Sequence, residues 1–304
     1  LLKWSELSIR TPPEFVEPLS EFFRRYGHGG VVIEDQSNRD LDADDNSVGQ
    51  SELVVVCTYL PLDATYRRRK GMIEAAVRLV AVLHPMEELQ EKYLKDDDWE
   101  SAWKSHFSLL RVGSRLVIRP SWQEYTPQEG QTVVVLDPGL AFGTGHHPTT
   151  FKCLEQLEEH VTPEMLVLDV GTGSGILAIT ALKLGAGKVI ALDLDQDAVK
   201  SARSNLDANG MSRRAKVVHG TLPHPEVANG RFDIVVANLT ATAIVSVAGP
   251  LVDCLVHNGI LILSGILQKQ LQEVRNSLIP FDVTERETRS DGDWVTLTVV
   301  KNQI

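Results

Sequence analysis

The chain has 304 residues, of which 43% are hydrophobic and 23% are charged, as is ordinary for a soluble globular protein. This length predicts two domains and allows a core that needs neither disulfides nor a metal for stability. The formal net charge of -11 disfavours direct contact with nucleic acid and suits a basic partner. Cys57, Cys153 and Cys254 are far apart and form no CxxC pair, which predicts free thiols in a reducing compartment rather than disulfides or a zinc site.

We find no sequence signal for membrane insertion or export. No stretch approaches the roughly 18 uninterrupted apolar residues of a membrane span. The segment LLKWSELSIR at the start does not place an apolar run after a charged head, as a signal peptide would. We therefore expect no membrane partner and a cytoplasmic location.

The N-terminal third alternates between predicted strands and helices. Strands are predicted at 4–9, 31–35, 53–60 and near 87–94, and helices at 14–26 and 63–84. The polar, acidic stretch 36–51 predicts a mobile loop. The order β-α-β-β-α-β is the ferredoxin-like α+β pattern. We therefore predict a small domain over residues 1–95, followed by an acidic, aromatic helical linker at 96–110.

The remainder, residues 111–304, predicts an α/β domain. Two strands are predicted first, at 115–119 and 132–136. From residue 165, strands and helices alternate regularly. The strands are at 165–170, 188–194, 215–219, 232–238 and 260–265, and the helices are at about 174–184, 196–209, 241–257 and 267–278. The apolar strands fit a parallel sheet that is buried on both faces. The last two segments, FDVTERETR and WVTLTVVK, flank the turn SDGD and predict an antiparallel hairpin. A parallel Rossmann-like sheet that ends in such a hairpin is typical of class I methyltransferases.

The segment VLDVGTGSGILAI (167–179) carries the strongest chemical signal. A buried strand leads into Gly171, Gly173 and Gly175, and then a helix begins. Glycines permit a tight turn and close approach of a ligand, and the helix N-terminus suits an anionic group. The dinucleotide fingerprint would need a further glycine where this chain has Ile176, so the pattern favours S-adenosylmethionine over NAD.

A carboxylate follows on the next strand. Asp193 lies at the carboxyl end of that strand, where an acid can accept both ribose hydroxyls of a bound nucleoside. Asp195 is the competing residue, but its position suits the N-cap of the following helix.

Two further segments carry candidate site residues. In LDPGLAFGTGHHPTT (136–150), we predict a glycine-rich lid in which Phe142 shields the donor and a hydroxyl of Thr149 or Thr150 contacts it. His146 and His147 are interpreted as structural rather than as bases or metal ligands, so no metal is expected.

The second segment, ANLTA (237–241), follows a strand of the parallel run. Ligands bind beyond the carboxyl ends of such strands. Asn238 is therefore predicted as the catalytic residue that accepts a hydrogen bond from the substrate amine.

These segments, together with DDDWESAWKSHF and SGIL, resemble the ribosomal protein L11 methyltransferase family from about residue 96 to the end. The resemblance implies methylation of lysine side chains and the N-terminal amine of that ribosomal protein, which the N-terminal domain holds. It implies donor contacts by Thr150, Gly171, Asp193 and Asn238. The chain has His146 where the family usually has Thr, and Leu239-Thr240 where it has Ile-Leu.

Other functions stay open at this point. The acceptor could be another protein, an RNA or a small metabolite, and the cluster Arg67–Lys70 would suit RNA. A nicotinamide oxidoreductase and a binding module without catalysis are further alternatives.

Overall fold

The structure is a computed structural model that describes residues 3–35, 53–95, 107–137 and 143–303. Its residue contacts divide the chain into two compact units, Leu1–Phe107 and Ser108–Ile304. The division falls within the segment predicted as a linker. Most of that segment, and the predicted loop 36–51, lie outside the described residues.

The first unit is a four-stranded antiparallel sheet with two helices, in the predicted ferredoxin-like order. The sheet order is β2-β3-β1-β4. Its elements are β1 (Trp4–Thr11), α1 (Pro13–Tyr26), β2 (His28–Asp35), β3 (Val54–Pro61), α2 (Tyr66–Ala81) and β4 (Gln90–Leu94). Helix α1 begins with proline, which lacks the N–H that a first turn leaves unbonded.

The core of the first unit lies between this sheet and its helices. Leu7 and Ile9 of β1 alternate with residues of the opposite face, and both are buried with Leu19 and Phe23 of α1. Ile73 of α2 is also fully buried in this cluster. The apolar residues that the strand and helix periodicities predict to be buried thus pack together in one core.

The second unit contains a seven-stranded sheet of order β10-β9-β8-β11-β12-β14-β13 and a smaller sheet of order β5-β6-β7. Its strands are β5 (Leu110–Val112), β6 (Leu116–Pro120), β7 (Thr132–Leu136), β8 (Leu166–Val170), β9 (Lys188–Asp193), β10 (Ala215–His219), β11 (Phe232–Asn238), β12 (Leu255–Leu267), β13 (Val283–Asp291) and β14 (Trp294–Lys301). Its helices are α3 (Pro148–His160), α4 (Ile176–Leu184), α5 (Gln196–Ala208), α6 (Ala241–Cys254) and α7 (Leu271–Leu278).

Strands β8 to β12 of the large sheet are parallel, and the β13–β14 hairpin adds to it in antiparallel fashion. Helices cover both faces, so neighbouring residues of one strand belong to different cores. Val167 lies in one buried cluster and Leu168 in the other. This is the predicted Rossmann-like α/β architecture with a C-terminal antiparallel hairpin.

Three predicted element boundaries of the second unit were wrong by three or more residues. Helix α6 ends at Cys254 rather than at 257, because Leu255 is already extended and pairs with Phe232 of β11. Strand β12 therefore begins five residues before the predicted start at 260. Helix α7 begins at Leu271, after a short 3-10 turn at Gln268–Gln270, rather than at 267.

Over the described ranges, no helix is both long enough and apolar enough to cross a membrane. In the same ranges, no group of three or more His, Cys, Asp or Glu side chains is placed to hold a metal ion.

Candidate active site

Three of the predicted site residues meet at the carboxyl edge of the large sheet. Gly171 follows β8, Asp193 ends β9 and Asn238 ends β11. These strands are neighbours, since Val170 pairs with Leu192 on one side and with Ala237 on the other. The register alone therefore brings the glycine loop, a carboxylate and an amide to one place.

The glycine loop requires residues without side chains. Gly171, Gly173 and Gly175 have φ angles of 77°, 54° and 84°, which L residues rarely adopt. A Cβ on Gly171 would lie 2.3 Å from Cδ2 of Leu239. The N–H groups of Gly171 and of the next residue both donate to the carbonyl of Leu192, at 2.9 Å. The loop is thereby folded tightly against the end of β9.

Asp193 contacts the glycine loop directly. Its Oδ2 accepts from the N–H of Gly173 at 2.8 Å, and its Oδ1 accepts from the N–H of Asp195 at 2.9 Å. Asp195 caps α5 by accepting from the N–H of Asp197 at 2.8 Å, as predicted. The two competing acids therefore have different positions, and the carboxylate beside the glycine loop is that of Asp193.

The amide of Asn238 is oriented by a hydroxyl from the first turn of α3. Its Nδ2 donates to Oγ1 of Thr150 at 3.1 Å, and Thr150 is almost fully buried. Within the planar amide, its Oδ1 lies on the other side of the Cβ–Cγ axis from Nδ2. The neighbouring Thr149 is buried too, and its carbonyl accepts from Oγ of Ser264 at 3.1 Å.

The two histidines before α3 differ in environment. His147 caps the helix: its Nδ1 accepts from the N–H of Thr149 and lies 2.8 Å from that residue's Oγ1. Its ring meets the ring of Trp294 edge-on, with centroids 4.8 Å apart. Burial lowers the pKa of His147 to about 4, so the ring is neutral at pH 7. His146 has Nε2 at 3.4 Å from Oγ of Ser108. Phe142 lies outside the described residues.

Sequence reasoning missed a buried carboxyl group beneath the loop. Asp169 is fully buried, and its Oδ2 accepts from Oγ1 of Thr172 at 2.6 Å and from the N–H of Ala178 at 3.2 Å. Burial, opposed by the bond from Thr172 and assisted by the charge of Asp193, raises the pKa of Asp169 to about 7. An acid inside an otherwise apolar strand was the available signal.

A second missed residue is Asn205 on α5. It is buried and bonds to the carbonyl of Ser174, between two glycines of the loop. Its signal was an amide on the apolar face of a predicted helix, beside Ala202 and Leu206.

Comparison with known proteins identifies the family. The family model described as "Ribosomal protein L11 methyltransferase (PrmA)" matches residues 3–302. The chain belongs to the ribosomal protein L11 methyltransferase family. Membership favours methyl transfer over the nicotinamide alternative and confirms the family predicted from the motifs.

Individual members of the ribosomal protein L11 methyltransferase family match along nearly the whole chain. The protein of that name from Chloroflexus aurantiacus is 39% identical over 317 residues, covering 97% of each chain. The one from Pelotomaculum thermopropionicum is also 39% identical, over 97% of this chain and 98% of that protein. The crystal structure of ribosomal protein L11 methylase from Lactobacillus delbrueckii subsp. bulgaricus superposes with a TM-score of 0.60 and 32% identity, covering 64% of this chain and 99% of that one.

Proposed function

We propose that this chain transfers methyl groups from S-adenosylmethionine to amino groups of ribosomal protein L11, both lysine side chains and the N-terminal amine. One observation carries the proposal. In a chain that the family model matches over residues 3–302, Gly171, Asp193 and Asn238 converge at the carboxyl ends of three adjacent strands. Such an edge is where open α/β sheets bind their ligands.

The donor fits this edge. The three loop glycines permit a tight turn at positive φ, whose exposed backbone a nucleoside could approach, and at Gly171 the missing side chain also makes space for Leu239. The carboxylate of Asp193 retains lone pairs that can accept the two ribose hydroxyls. Thr150 bonds to Asn238, and together with the adjacent Thr149 it would border the methionine side of the donor. The donor contact of Phe142 stays a prediction from the sequence.

The acceptor amine must arrive without its proton. A lysine side chain has a pKa of about 10.4, so near pH 7.4 roughly one in a thousand is neutral. The bound sulfonium supplies an electrophilic methyl group and a good leaving group, and its positive charge lowers the pKa of a neighbouring ammonium. Because the leaving group needs no acid, the enzyme's main task is to orient the neutral amine.

We assign that orientation to Asn238. Because its Nδ2 is engaged by Thr150, its Oδ1 is left to accept a hydrogen bond from the amine N–H. This bond would direct the nitrogen lone pair in line with the methyl group. His147 is ill-suited as the base, since it is buried and its Nδ1 already accepts from Thr149. We assign the departing proton to water.

The acceptor is a protein rather than an RNA in this proposal. The net charge of -11 suits a basic ribosomal protein. In the second unit, basic side chains line a cavity of about 290 Å³ at the amino ends of the strands, which is the opposite edge of the sheet from Asn238. These side chains are Lys188, Arg213, Arg214, Lys216 and Arg231.

We further propose a division of roles along the chain. Residues 1–95 recognise the protein substrate, 96–110 link the domains and 111–304 catalyse the transfer. The enzyme works in the cytoplasm without a metal.

The test is incubation with labelled S-adenosylmethionine and purified ribosomal protein L11. We expect label on that protein, and we expect Asn238→Ala to lower kcat by about a hundredfold through misplacement of the amine. Donor affinity, measured by calorimetry, should weaken much less. Asn276→Ala, a change on the exposed side of α7, is the matched control and should leave both values unchanged.

Three outcomes would count against the proposal. Label on RNA or on a small metabolite instead of L11 would assign a different acceptor. Unchanged methylation by Asn238→Ala would remove Asn238 from the mechanism. Failure of the unaltered protein to bind the donor would end the proposed chemistry altogether.

A further inference from the structure

Asn205 is an amide on the apolar face of α5. Val199, Ala202 and Leu206 share that face, and Asn205 itself is 1% exposed. Burying an amide without hydrogen bonds is costly, so an amide retained here must be fully engaged.

The side chain of Asn205 joins two segments that are distant in sequence. Its Oδ1 accepts from the N–H of Asp137 at 2.9 Å, and its Nδ2 donates to the carbonyl of Asp137 at 3.0 Å. The second proton of Nδ2 goes to the carbonyl of Ser174 at 2.9 Å. Asn205 therefore connects the residue after β7 to the middle of the glycine loop.

Ser174 makes a second connection from the same place in the loop. Its Oγ donates to the carbonyl of Gly143, and Ser174 is fully buried. Gly143 has a φ angle of 98°, and a Cβ there would lie 3.3 Å from Oγ of Ser174. Asp137 and Gly143 are thus both held to Ser174, the former through Asn205 and the latter directly.

We propose that Asn205 is a positioning residue for the methyl donor, acting by holding the carbonyl of Ser174 and with it the glycine loop. This inference rests on the proposed function, because the loop is taken to bind S-adenosylmethionine. The loop N–H of Gly173 already donates to Asp193, so a displaced loop would also displace the carboxylate that takes the ribose. A loop held in its binding geometry loses less entropy when the donor binds.

The chain contains a matched control one helical turn later. Asn209 is also buried, its Oδ1 accepts from the N–H of Val135 at 3.0 Å, and its Nδ2 donates to the carbonyl of Val135 at 2.6 Å. The other proton of Nδ2 goes to the carbonyl of Asn205 at 2.7 Å. Asn209 thus pairs with β7 as Asn205 pairs with Asp137, but no bond runs from it to the glycine loop.

The experiment compares Asn205→Asp with Asn209→Asp in the full chain. Each change keeps the side-chain size and one acceptor, and removes both N–H donors. We expect Asn205→Asp to raise the KM for S-adenosylmethionine about tenfold while kcat changes less than threefold. Asn209→Asp should lower the Tm about as much as Asn205→Asp does, but should change the KM for S-adenosylmethionine less than twofold. Backbone hydrogen exchange over residues 171–176 should accelerate in the first variant only.

The outcomes separate this inference from the proposed function. If the unaltered protein binds the donor and the two variants raise its KM equally, Asn205 is a structural residue and the inference is overturned. If the unaltered protein does not bind the donor, the proposed function fails instead. If Asn205→Asp does not fold, Asn205→Ser tests the same bond and leaves space for water. A normal KM for the donor and normal backbone hydrogen exchange in that variant would contradict the inference.

Discussion

The two units each hold a carboxyl group among hydrogen-bond donors, and their pKa values are shifted in opposite directions. In the first unit, Glu91 accepts from Oγ of Ser5 at 2.7 Å, from the hydroxyl of Tyr66 and from Nζ of Lys70. Burial alone would raise the pKa of Glu91, but these bonds outweigh it and lower the pKa to about 2.

Asp169 in the second unit accepts from neutral donors, a hydroxyl and a backbone N–H. Burial therefore prevails and raises its pKa to about 7. The difference teaches that burial and the charge of the neighbours together decide which form of a carboxyl group the fold stabilises: Glu91 is partly buried beside Lys70, whereas Asp169 is fully buried near the like charge of Asp193. The first unit uses an ionised carboxylate for cohesion, whereas the second holds a carboxyl group that is still partly protonated at pH 7.

The largest expected effect is that of removing the Asp169 side chain. Asp169→Ala leaves the hydroxyl of Thr172 and the N–H of Ala178 without an acceptor and opens a cavity, so we expect the second unit to lose about 3 kcal/mol of unfolding free energy. Asp169→Asn retains an acceptor and should lose about 1 kcal/mol. Urea unfolding at pH 6 measures both. Equal losses would show that an acceptor of the same volume brings no benefit, and would contradict the role assigned to these two hydrogen bonds.

A smaller effect is expected in the first unit. Glu91→Ala leaves three donors without their acceptor, including the buried hydroxyl of Ser5, and should cost about 2 kcal/mol at pH 7. Glu91→Gln should recover part of that loss, because it restores an acceptor but not the charge opposite Lys70. Added salt should reduce the stability advantage of the unaltered protein over Glu91→Gln, because it screens the pair of Glu91 with Lys70. A salt response shared by both would contradict the role of the ion pair.

The opposite pKa shifts predict opposite pH responses. For Asp169 the folded pKa is raised, so its contribution is complete below the unfolded value near 3.8 and is lost as pH rises through about 7. Between pH 6 and pH 8 this amounts to about 1.4 kcal/mol for a folded pKa near 7. For Glu91 the folded pKa is lowered, so its contribution is complete above 4.5 and is lost as pH falls toward 2.

Unfolding curves recorded from pH 3 to pH 8 check these signs. The transition of the second unit should weaken progressively from about pH 4 to pH 7 and level off above that, and Asp169→Asn should abolish this part of the pH dependence. The first unit should weaken only in acid. If the stability of the second unit instead rose from pH 6 to pH 8 as Asp169 ionises, the folded state would favour the ionised form, and the raised pKa would be wrong.

The smallest expected effect comes from removing a single hydroxyl group, that of Thr172. Thr172→Val removes the bond to Asp169 with little change of shape, and should cost about 1 kcal/mol. Since that bond lowers the pKa of Asp169, its loss should raise the pKa further. An NMR titration of the Asp169 carboxyl carbon measures the shift, and a lower midpoint than in the unaltered protein would contradict the explanation.

Most elements were predictable because their signals are local. The hydrophobic period of 2 or 3.6 gave the strands β8 to β11 within a residue, and the glycine loop and Asp193 were visible from spacing. The boundary between α6 and β12 was missed because the apolar run continues across it. Tertiary contacts end the helix there: Leu255 pairs with Phe232, and the N–H of Arg231 donates to the carbonyl of Cys254.

The amino-acid sequence by itself determined the family, the order of helices and strands, and which residues follow each strand, since these depend on neighbours along the chain. Tertiary structure decided which side chains act together. Asn205 meets Asp137 across 68 positions and Ser174 across 31, and the pKa of Asp169 depends on its burial and on the charge of Asp193. Hydrogen bonding and desolvation are set by distances in space, which no local pattern encodes.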